Sequence, residues 1–405
     1  MHRVNTILLI GTLDTKGAEF AFVRELILAR GYLVVTIDAG VLGEPSSVPD
    51  ISATQVAEAG GSCLTVLRSG GDRAAALDVM ITGVIKVALK LKSEGRCDGL
   101  LGLGGSGGTA VATAAMRALP IGLPKLMVST LASGDMRPYV GVSDITFMYS
   151  VVDIAGLNRF SRRILANAAG AICGMVEQDV PPFEDKPSVA ATMFGVTTPC
   201  ITALREQLEQ AGYEVLVFHA TGSGGQAMEG LIEAGFVAGV ADVTTTELAD
   251  EWVGGVLSAG PQRLEAAGRM GLPQVVSVGA LDMVNFWAFD TVPAKFTQAG
   301  RTFHRHNANV TLMRTTPEEC AELGRSLAEK LNAATGPVTL FIPLRGVSAI
   351  DRKGQPFYLP AADAALFDAV RQHRQPPVEL IELDLHINDP AFAKAMADKL
   401  LEMLN

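Results

Sequence analysis

Two stretches of this chain are predicted to be a duplicated unit. In each of them glycine residues follow an apolar run, and a segment with helical character comes next. Gly99–Leu103 leads into a loop in which five of the eight residues from Gly102 to Thr109 are glycine. Glu214–Phe218 leads in the same way into His219–Gly225. Exposed N–H groups at a helix N terminus bind phosphate or carboxylate when no side chain stands in front of them. We therefore predict two anion sites, with tight strand-to-helix turns as the alternative. The predicted residues are Gly104, Gly105, Ser106, Gly107, Gly108 and Thr109 in the first loop, and Gly222, Ser223, Gly224 and Gly225 in the second.

Polar residues also follow other predicted strands of the first half. Lys16 is suited to neutralising phosphate charge, and Asp14 to holding Mg²⁺ or a ribose hydroxyl. Asp38 ends the second predicted strand, where a ribose-binding carboxylate often lies. For the segment after the first predicted strand, Gly11–Glu19, the alternative is a polar turn in which Thr15 caps a helix. Neither G-x-G-x-x-G nor G-x-x-x-x-G-K-[ST] occurs there. The predicted cofactor ligands outside the glycine loop are Thr12, Asp14, Lys16, Asp38, Ser129 and Thr130.

The second half concentrates histidine and arginine after its strands. His304 and His306, two residues apart, are suited to ligating one metal ion, which Asp242, Asp282 or His219 would complete. The same side chains are equally suited to an anionic substrate, with arginine as a fork and histidine as acid or base. A structural hydrogen-bond network between domains is the third interpretation. The predicted catalytic residues are His219, Asp282, His304 and His306, and the predicted substrate ligands besides the second glycine loop are Asp242, Asn285, Arg305 and Arg314.

Short apolar runs alternate with helical patterns along the chain, which predicts an α/β fold. Gly122–Ser129 parallels Gly271–Val278, and Gly31–Val35 parallels Gly212–Leu216. These matches predict two related Rossmann-like domains with doubly wound parallel sheets, at residues 1–177 and 189–405, joined by a linker at 178–188. The pattern also predicts a short strand at Cys63–Leu67, and a helix rich in Ala and Gly at 154–176 that is suited to packing in a homodimer.

Composition excludes several classes of protein. The chain has 405 residues with 48% hydrophobic residues and a formal net charge of −10. The apolar content excludes wholesale disorder, and the acidic balance argues against nucleic acid or an anionic membrane surface as partner. Five scattered cysteines without a C-x-x-C pair, and a first strand that begins almost at once, predict a cytoplasmic protein with reduced thiols.

An ordered series of these motifs resembles one uncharacterised family of bacterial and plant proteins. It is similar to the ATP-binding N-terminal domain of the tomato mosaic virus resistance protein. The resemblance implies two Rossmann-like subdomains, ATP as the cofactor with Mg²⁺, and a homodimer. Because a TIM-barrel-like domain follows in the plant protein, we expect a separate partner protein with such a domain. The segments that carry the resemblance are Gly11–Glu19, Gly102–Thr109, Pro124–Asp135, Phe218–Glu229, Asp242–Glu251, Gly279–Phe286, His306–Thr315 and Phe341–Asp351.

Together these observations predict an ATP-binding protein that acts as an enzyme on a small anionic metabolite at the cleft between its two domains. A nucleotide-responsive regulatory module without turnover is the first alternative. A metal-dependent hydrolase or lyase that uses His304 and His306 is the second. The sequence names neither a substrate nor a reaction.

Overall fold

The computed structural model describes residues 3–181 and 185–405, and the chain forms two compact units that divide between Pro182 and Phe183. The predicted linker, residues 178–188, contains this division, and its residues 182–184 lie outside the described residues. Each unit has a parallel sheet with helices between its strands. The predicted α/β class with two Rossmann-like, doubly wound sheets is confirmed.

The N-terminal unit has one sheet of five parallel strands. Its strands are β1 (Thr6–Gly11), β2 (Leu33–Asp38), β3 (Gly99–Gly104), β4 (Lys125–Ser129) and β5 (Thr146–Tyr149). Its helices are α1 (Leu13–Leu28), α2 (Ala53–Ala59), α3 (Leu64–Ser69), α4 (Arg73–Ser93), α5 (Ser106–Ala118), α6 (Arg137–Val140) and α7 (Arg159–Glu177). The strand order is β2-β1-β3-β4-β5, so the order reverses between β1 and β3.

Helices cover both faces of this sheet, which explains why its strands are apolar without interruption. Leu8 and Ile10 of β1 join a core with residues of α2, α4 and α5, whereas Ile7 and Leu9 join a second core with α1 and α7. Successive side chains of a strand point to opposite faces. Both sets are therefore buried, as in other parallel sheets.

The C-terminal unit has six parallel strands and a separate antiparallel sheet of three. Its strands are β6 (Ser188–Met193), β7 (Glu214–His219), β8 (Gly239–Thr244), β9 (Gln274–Gly279), β10 (Met283–Phe286), β11 (Phe303–Arg305), β12 (Thr311–Arg314), β13 (Val338–Pro343) and β14 (Glu379–Leu383). Its helices are α8 (Thr198–Gln210), α9 (Ser223–Glu233), α10 (Glu247–Val253), α11 (Ala266–Arg269), α12 (Ala294–Gln298), α13 (Pro317–Asn332), α14 (Pro360–His373) and α15 (Pro390–Leu404). The parallel sheet has the order β14-β13-β9-β8-β6-β7, and the small sheet has the order β10-β12-β11.

Strand order corrects one part of the predicted repeat. In the C-terminal sheet β6, β7 and β8 hold the positions of β1, β2 and β3. The first glycine loop follows β3, but the second follows β7, the counterpart of β2. The two glycine loops are therefore not equivalent, and the prediction that they repeat one unit is wrong. The other two matches agree with the topology, because they pair β4 with β9 and β2 with β7.

The segment predicted as a strand at Cys63–Leu67 is instead the start of helix α3. Leu64 is buried and Leu67 is half-buried, whereas Val66 between them is 58% exposed. Apolar positions three residues apart lie on one side of a helix. A short run of mixed β-branched and apolar residues does not distinguish the two structures.

The helix predicted from residue 154 begins at Arg159, where the Asn158 side chain caps it. Its small residues pack within their own unit, because Leu165, Ala168 and Ile172 join the core that contains α1. The packing that suggested a dimer contact is thus already used inside the unit. The homodimer stays a prediction.

Candidate nucleotide site

One cavity of about 490 Å³ lies at the carboxyl ends of β1, β2 and β3, and we call it the N-terminal cavity. Sheets with this strand order bind ligands where the order reverses, here between β1 and β3. Thr12, Asp14, Lys16, Gly105, Ser106, Gly107 and Gly108 are the predicted residues that line it. Its other lining residues are Thr15, Ala39, Val41, Leu42, Leu67, Arg68, Gly71, Asp72, Arg73, Ala76 and Leu77.

The glycine loop presents an uncapped helix end to this cavity. Gly105 precedes α5 in an extended conformation (φ −84°, ψ −155°), and no side chain caps the helix. The first helical hydrogen bond runs from Thr109 N–H to the Gly105 carbonyl (2.8 Å), so the N–H groups of the first turn have no acceptor within the helix. A Cβ atom at Gly107 would meet no protein atom within 4 Å. This end of the cavity has the backbone donors and the open space that an anion needs.

The turn after β1 supplies a carboxylate beside these donors. The Asp14 Oδ2 atom accepts hydrogen bonds from the N–H groups of Leu42 (2.8 Å) and Gly43 (3.2 Å). Its Oδ1 atom is buried and has no hydrogen-bond partner among the described residues. A Cβ atom at Gly40 would lie 2.5 Å from the Asp14 carboxyl carbon, so glycine is required there for the carboxylate to fit. One oxygen of Asp14 is therefore buried without a hydrogen-bond partner among the described residues.

Two threonines and a lysine complete this turn. The Oγ1 atoms of Thr12 and Thr15 lie 2.9 Å apart. The Lys16 ammonium donates to the Ile154 carbonyl, and the backbone at Lys16 leaves the helical conformation (φ −134°, ψ 19°). The turn from Thr12 to Lys16 is thus separate from the main part of α1.

The opposite wall of the cavity combines apolar side chains with two arginines that the sequence analysis did not select. Its apolar members are Val41, Leu42, Leu67 and Leu77, and its arginines are Arg68 and Arg73. Arg68 donates to the carbonyls of Val41 (3.1 Å) and Gly43 (2.6 Å) and so fixes the loop after β2. Arg73 is exposed and makes no side-chain hydrogen bond or ion pair with residues 3–181 or 185–405. One feature of the sequence points to this wall: Gly71-Asp72 precedes a helical pattern. Aspartate is a strong N-cap residue, so this pair predicts the start of a helix there.

Several predicted ligands instead support the loops from behind. The buried Asp38 carboxylate accepts from the N–H groups of Leu13 (2.9 Å) and Gly40 (2.8 Å), and burial raises its pKa. Thr109 and Ser129 share a hydrogen bond (2.8 Å) and are both buried. Gly104 packs on Gly108 and its carbonyl accepts from Thr130 N–H (3.2 Å). The residues in this group are not among those that line the cavity: Asp38, Gly104, Thr109, Ser129 and Thr130.

The second glycine loop already holds a carboxylate from its own unit. One oxygen of Glu247 accepts from the N–H groups of Gly222 (2.7 Å) and Gly225 (3.0 Å). A Cβ atom at Gly225 would lie 2.2 Å from the other Glu247 oxygen, and one at Gly224 would overlap the His219 carbonyl. Two of the donors that were predicted for substrate, the N–H groups of Gly222 and Gly225, are therefore bonded to a buried side chain. Ser223, the first residue of α9, is the remaining member of that predicted set.

Glu247 belongs to a buried cluster around Arg263, whose side chain has no exposed surface. The guanidinium contacts both oxygens of Asp242 (2.5 and 2.7 Å), Glu247 (2.7 Å) and Glu229 (3.3 Å). Asp242 also accepts from the Thr192 hydroxyl (2.7 Å). This cluster joins β6, β8, α9 and α10, and we call it the Arg263 cluster.

Asp282 and Arg314 come together in a second cluster, the Arg314 cluster. Arg314 bonds to Asp363 (2.6 Å) and lies 3.7 Å from Asp351. Asp282 accepts from the Ser348 hydroxyl (2.7 Å), and burial together with the charge of Asp351 raises its pKa to about 7. Three carboxylates thus surround one guanidinium.

The remaining predicted residues of this unit lie in other surroundings. Asn285 is buried and donates to Asp250 (2.6 Å). The His219 ring lies 5.4 Å from the Phe194 ring. In the small sheet, the His304 ring lies 6.3 Å from Phe357 and the Arg305 guanidinium 4.4 Å from the Phe289 ring. His306 is exposed.

The structure therefore brings Asp282 and Arg314 together, and it separates them from Asp242, which pairs with Arg263. Among the described residues, no three His, Cys, Asp or Glu side chains form a group suited to a metal ion. No helix in residues 3–181 or 185–405 combines the length and the apolar character needed to span a membrane.

Comparison with known proteins identifies the family. Sequence profiles of the uncharacterised protein family UPF0261 match most of the chain, with the N-terminal domain at residues 5–181 and the C-terminal domain at residues 186–404. The chain belongs to this family. A UPF0261 protein of Clostridium tetani is 53% identical over 98% of both chains. The ToMV susceptible protein tm-1(GCR26) of Solanum lycopersicum is 40% identical over 97% of this chain and 55% of its own length. The resemblance predicted from the sequence is confirmed.

Similarity to solved structures is far weaker. A putative UDP-N-acetylglucosamine 2-epimerase from Listeria monocytogenes aligns with 99% of this UPF0261 chain and 95% of its own, at 13% identity and a TM-score of 0.23. A similarity of this size carries no argument about function.

Proposed function

We propose that the N-terminal unit of this UPF0261 protein binds a nucleoside triphosphate in the N-terminal cavity. The observation that carries the proposal is the joining of three features in one cavity of about 490 Å³. These are the uncapped end of α5, the Asp14 oxygen without a partner, and an apolar wall. Pockets of this size hold small-molecule ligands. ATP is the nucleotide that the family resemblance implies.

Each part of a nucleotide has a matching surface in the cavity. The N–H groups of Gly105–Gly108 and the cation of Arg73 suit the phosphates, since backbone donors and arginine both favour anions. Leu42, Leu67 and Leu77 suit the base and sugar, because aliphatic side chains pack well on flat rings. These surfaces support the proposal without assigning a reaction.

Asp14 fits a Mg²⁺ ion that accompanies the phosphates. Mg²⁺ prefers oxygen ligands and is commonly held by one or two carboxylates together with substrate phosphates. The Asp14 Oδ1 atom lacks any partner among the described residues, while Oδ2 is held by two N–H groups. A bound cation would satisfy the free oxygen.

Isothermal titration of the full chain with ATP tests the proposal. Replacing Gly107 with valine would add a side chain where a Cβ atom meets no protein atom. We expect ATP affinity to fall about tenfold or more, which is about 1.4 kcal/mol or more, with the fold retained. The matched control is Gly174→Val in α7, which also lies in open space but away from the cavity. Equal affinities in the two variants would contradict the assignment.

Turnover distinguishes the enzyme prediction from the regulatory one. If ATP is consumed when anionic metabolites are added, the protein is an enzyme. If ATP binds and is not consumed, the regulatory alternative stands. The metal-dependent hydrolase alternative lacks a ligand set among the described residues.

A further inference from the structure

A second cavity, of about 820 Å³, lies in the C-terminal unit, and we call it the C-terminal cavity. It is formed by the segments that follow β13 and β14 and by residues of α14 between Pro360 and Arg371. None of the residues predicted from the sequence as ligands lines it. Carboxyl ends of parallel strands are where ligands bind in sheets of this type, and the volume is within the range of small-molecule sites.

Cations dominate the lining of the C-terminal cavity although the chain as a whole is acidic. Arg345, Arg352, Lys353 and Arg371 face two carboxylates, those of Asp363 and Asp389. Arg345 is paired with Asp384, and Arg371 with Asp368 and Glu382. Arg352 and Lys353 are adjacent and exposed, and neither forms an ion pair or a side-chain hydrogen bond with residues 3–181 or 185–405. Two adjacent cations without partners, at the rim of a cavity, favour an anion.

The Arg314 cluster contributes to the wall of the C-terminal cavity through Asp363. Its Asp363 carboxylate is 13% exposed and lines the cavity, while Asp351 is fully buried and its Oδ1 atom has no hydrogen-bond partner in the described part of the chain. Burial and the charge of Asp351 raise the pKa of Asp363 to about 7. Burial and mutual repulsion of the carboxylates both favour their protonated form. The cavity wall therefore contains a buried carboxyl group whose pKa is raised.

His386 shapes the cavity but is not available for proton transfer. Its Nδ1 atom accepts from the Asn388 N–H group (3.1 Å), so its Nε2 atom carries the proton and donates to the Ser348 carbonyl (2.9 Å). Both ring nitrogens are used, and burial lowers the pKa of the ring. Gly346 is required beside it, because a Cβ atom there would lie 3.0 Å from the His386 ring and would overlap the Asp351 carbonyl.

We propose that the C-terminal cavity binds a small organic anion, with Arg352 and Lys353 on its phosphate or carboxylate group and Asp363 on a polar group at its other end. Tyr358, which is 46% exposed, and Phe367 provide apolar surface for the carbon skeleton. A phosphate group and a carboxylate group would both be bound by these two cations. The site does not depend on the nucleotide site, because its residues all belong to the C-terminal unit.

Calorimetric titration with inorganic phosphate and, separately, with citrate tests this proposal. The full chain should carry Gly107→Val, so that an anion on the first glycine loop does not contribute. We expect saturable binding of at least one probe, and a loss of affinity of about tenfold or more when Arg352→Gln and Lys353→Gln are added together. The tighter probe distinguishes a phosphate site from a carboxylate site.

The matched control carries Arg205→Gln and Lys394→Gln, which remove two exposed cations of the same unit outside the cavity. It should leave anion affinity unchanged. Three results would overturn the proposal: no saturable binding of either probe, unchanged affinity after Arg352→Gln and Lys353→Gln, or equal weakening in the control. Unfolding midpoints of both double variants should match the parent, because all four side chains are exposed. Failure of Gly107→Val to reduce ATP affinity would affect the nucleotide proposal alone.

Discussion

Replacement of Arg263 with leucine is expected to destabilise the C-terminal unit strongly. The guanidinium has no exposed surface and holds three carboxylates, those of Asp242, Glu247 and Glu229. Asp242 would keep one hydrogen bond, from the Thr192 hydroxyl. Removing one partner of a buried ion pair costs about 3–5 kcal/mol, because a charge is left without compensation.

The expected shift of the urea unfolding midpoint follows from this range of free energy. A urea m-value of about 2–3 kcal/mol/M is reasonable for a unit of this size, so a loss of about 3–5 kcal/mol should lower the unfolding midpoint by about 1–2.5 M. Both tryptophans of the chain, Trp252 and Trp287, belong to the C-terminal unit. Tryptophan fluorescence during urea unfolding therefore reports this unit alone. The difference from the parent should narrow as pH falls, because protonation neutralises the stranded carboxylates.

Arg269→Leu is the matched control, because Arg269 also contacts two carboxylates but is 45% exposed. Surface ion pairs contribute at most about 1 kcal/mol, so its midpoint should change little. If the two arginine variants shift the midpoint equally, the argument from burial is refuted. A changed m-value would indicate an altered unfolded or native state instead.

Two further predictions concern the carboxylates. Asp14→Asn should remove the Mg²⁺-dependent part of ATP affinity, measured by titration with and without Mg²⁺, whereas Asp72→Asn in the same cavity should keep it; equal behaviour of the two would exclude Asp14 as the Mg²⁺ ligand. For the pH dependence, burial raises the pKa values of Asp250, Asp282 and Asp363 to about 7. Between about pH 4 and about pH 7 these groups hold protons that the unfolded chain has released, so the free energy of unfolding should fall as pH rises and level off above that window. A tryptophan-monitored urea midpoint that rises through this window would contradict the prediction.

The sequence was sufficient for the parts of the fold that depend on local pattern. Uninterrupted apolar runs predicted the parallel strands. The strand-end rule selected Thr12, Asp14 and the glycines of the first loop, and of these glycines Gly105, Gly107 and Gly108 do line one cavity. The strand predicted at Cys63–Leu67 was wrong because a run of five residues with two buried or half-buried positions fits either structure. Because of that error, the next residue, Arg68, was not predicted to belong to the site.

Long-range partners could not be predicted. The loop Gly222–Gly225 has the composition of an anion site, and only the fold shows that Glu247 already accepts from the N–H groups of Gly222 and Gly225. Likewise Asp242 lies near the end of β8 and Asp282 follows β9, yet each is beside a different arginine. Arg263 gave no signal in the sequence, because nothing local distinguishes a buried arginine from an exposed one.

A crystal structure of the full chain with ATP and Mg²⁺ tests the central claim most directly. We predict that the triphosphate lies against the N–H groups of Gly105–Gly108, with the metal at Asp14 and the base beside Leu67. Nucleotide bound elsewhere, or an empty N-terminal cavity at saturating ATP, would contradict the account.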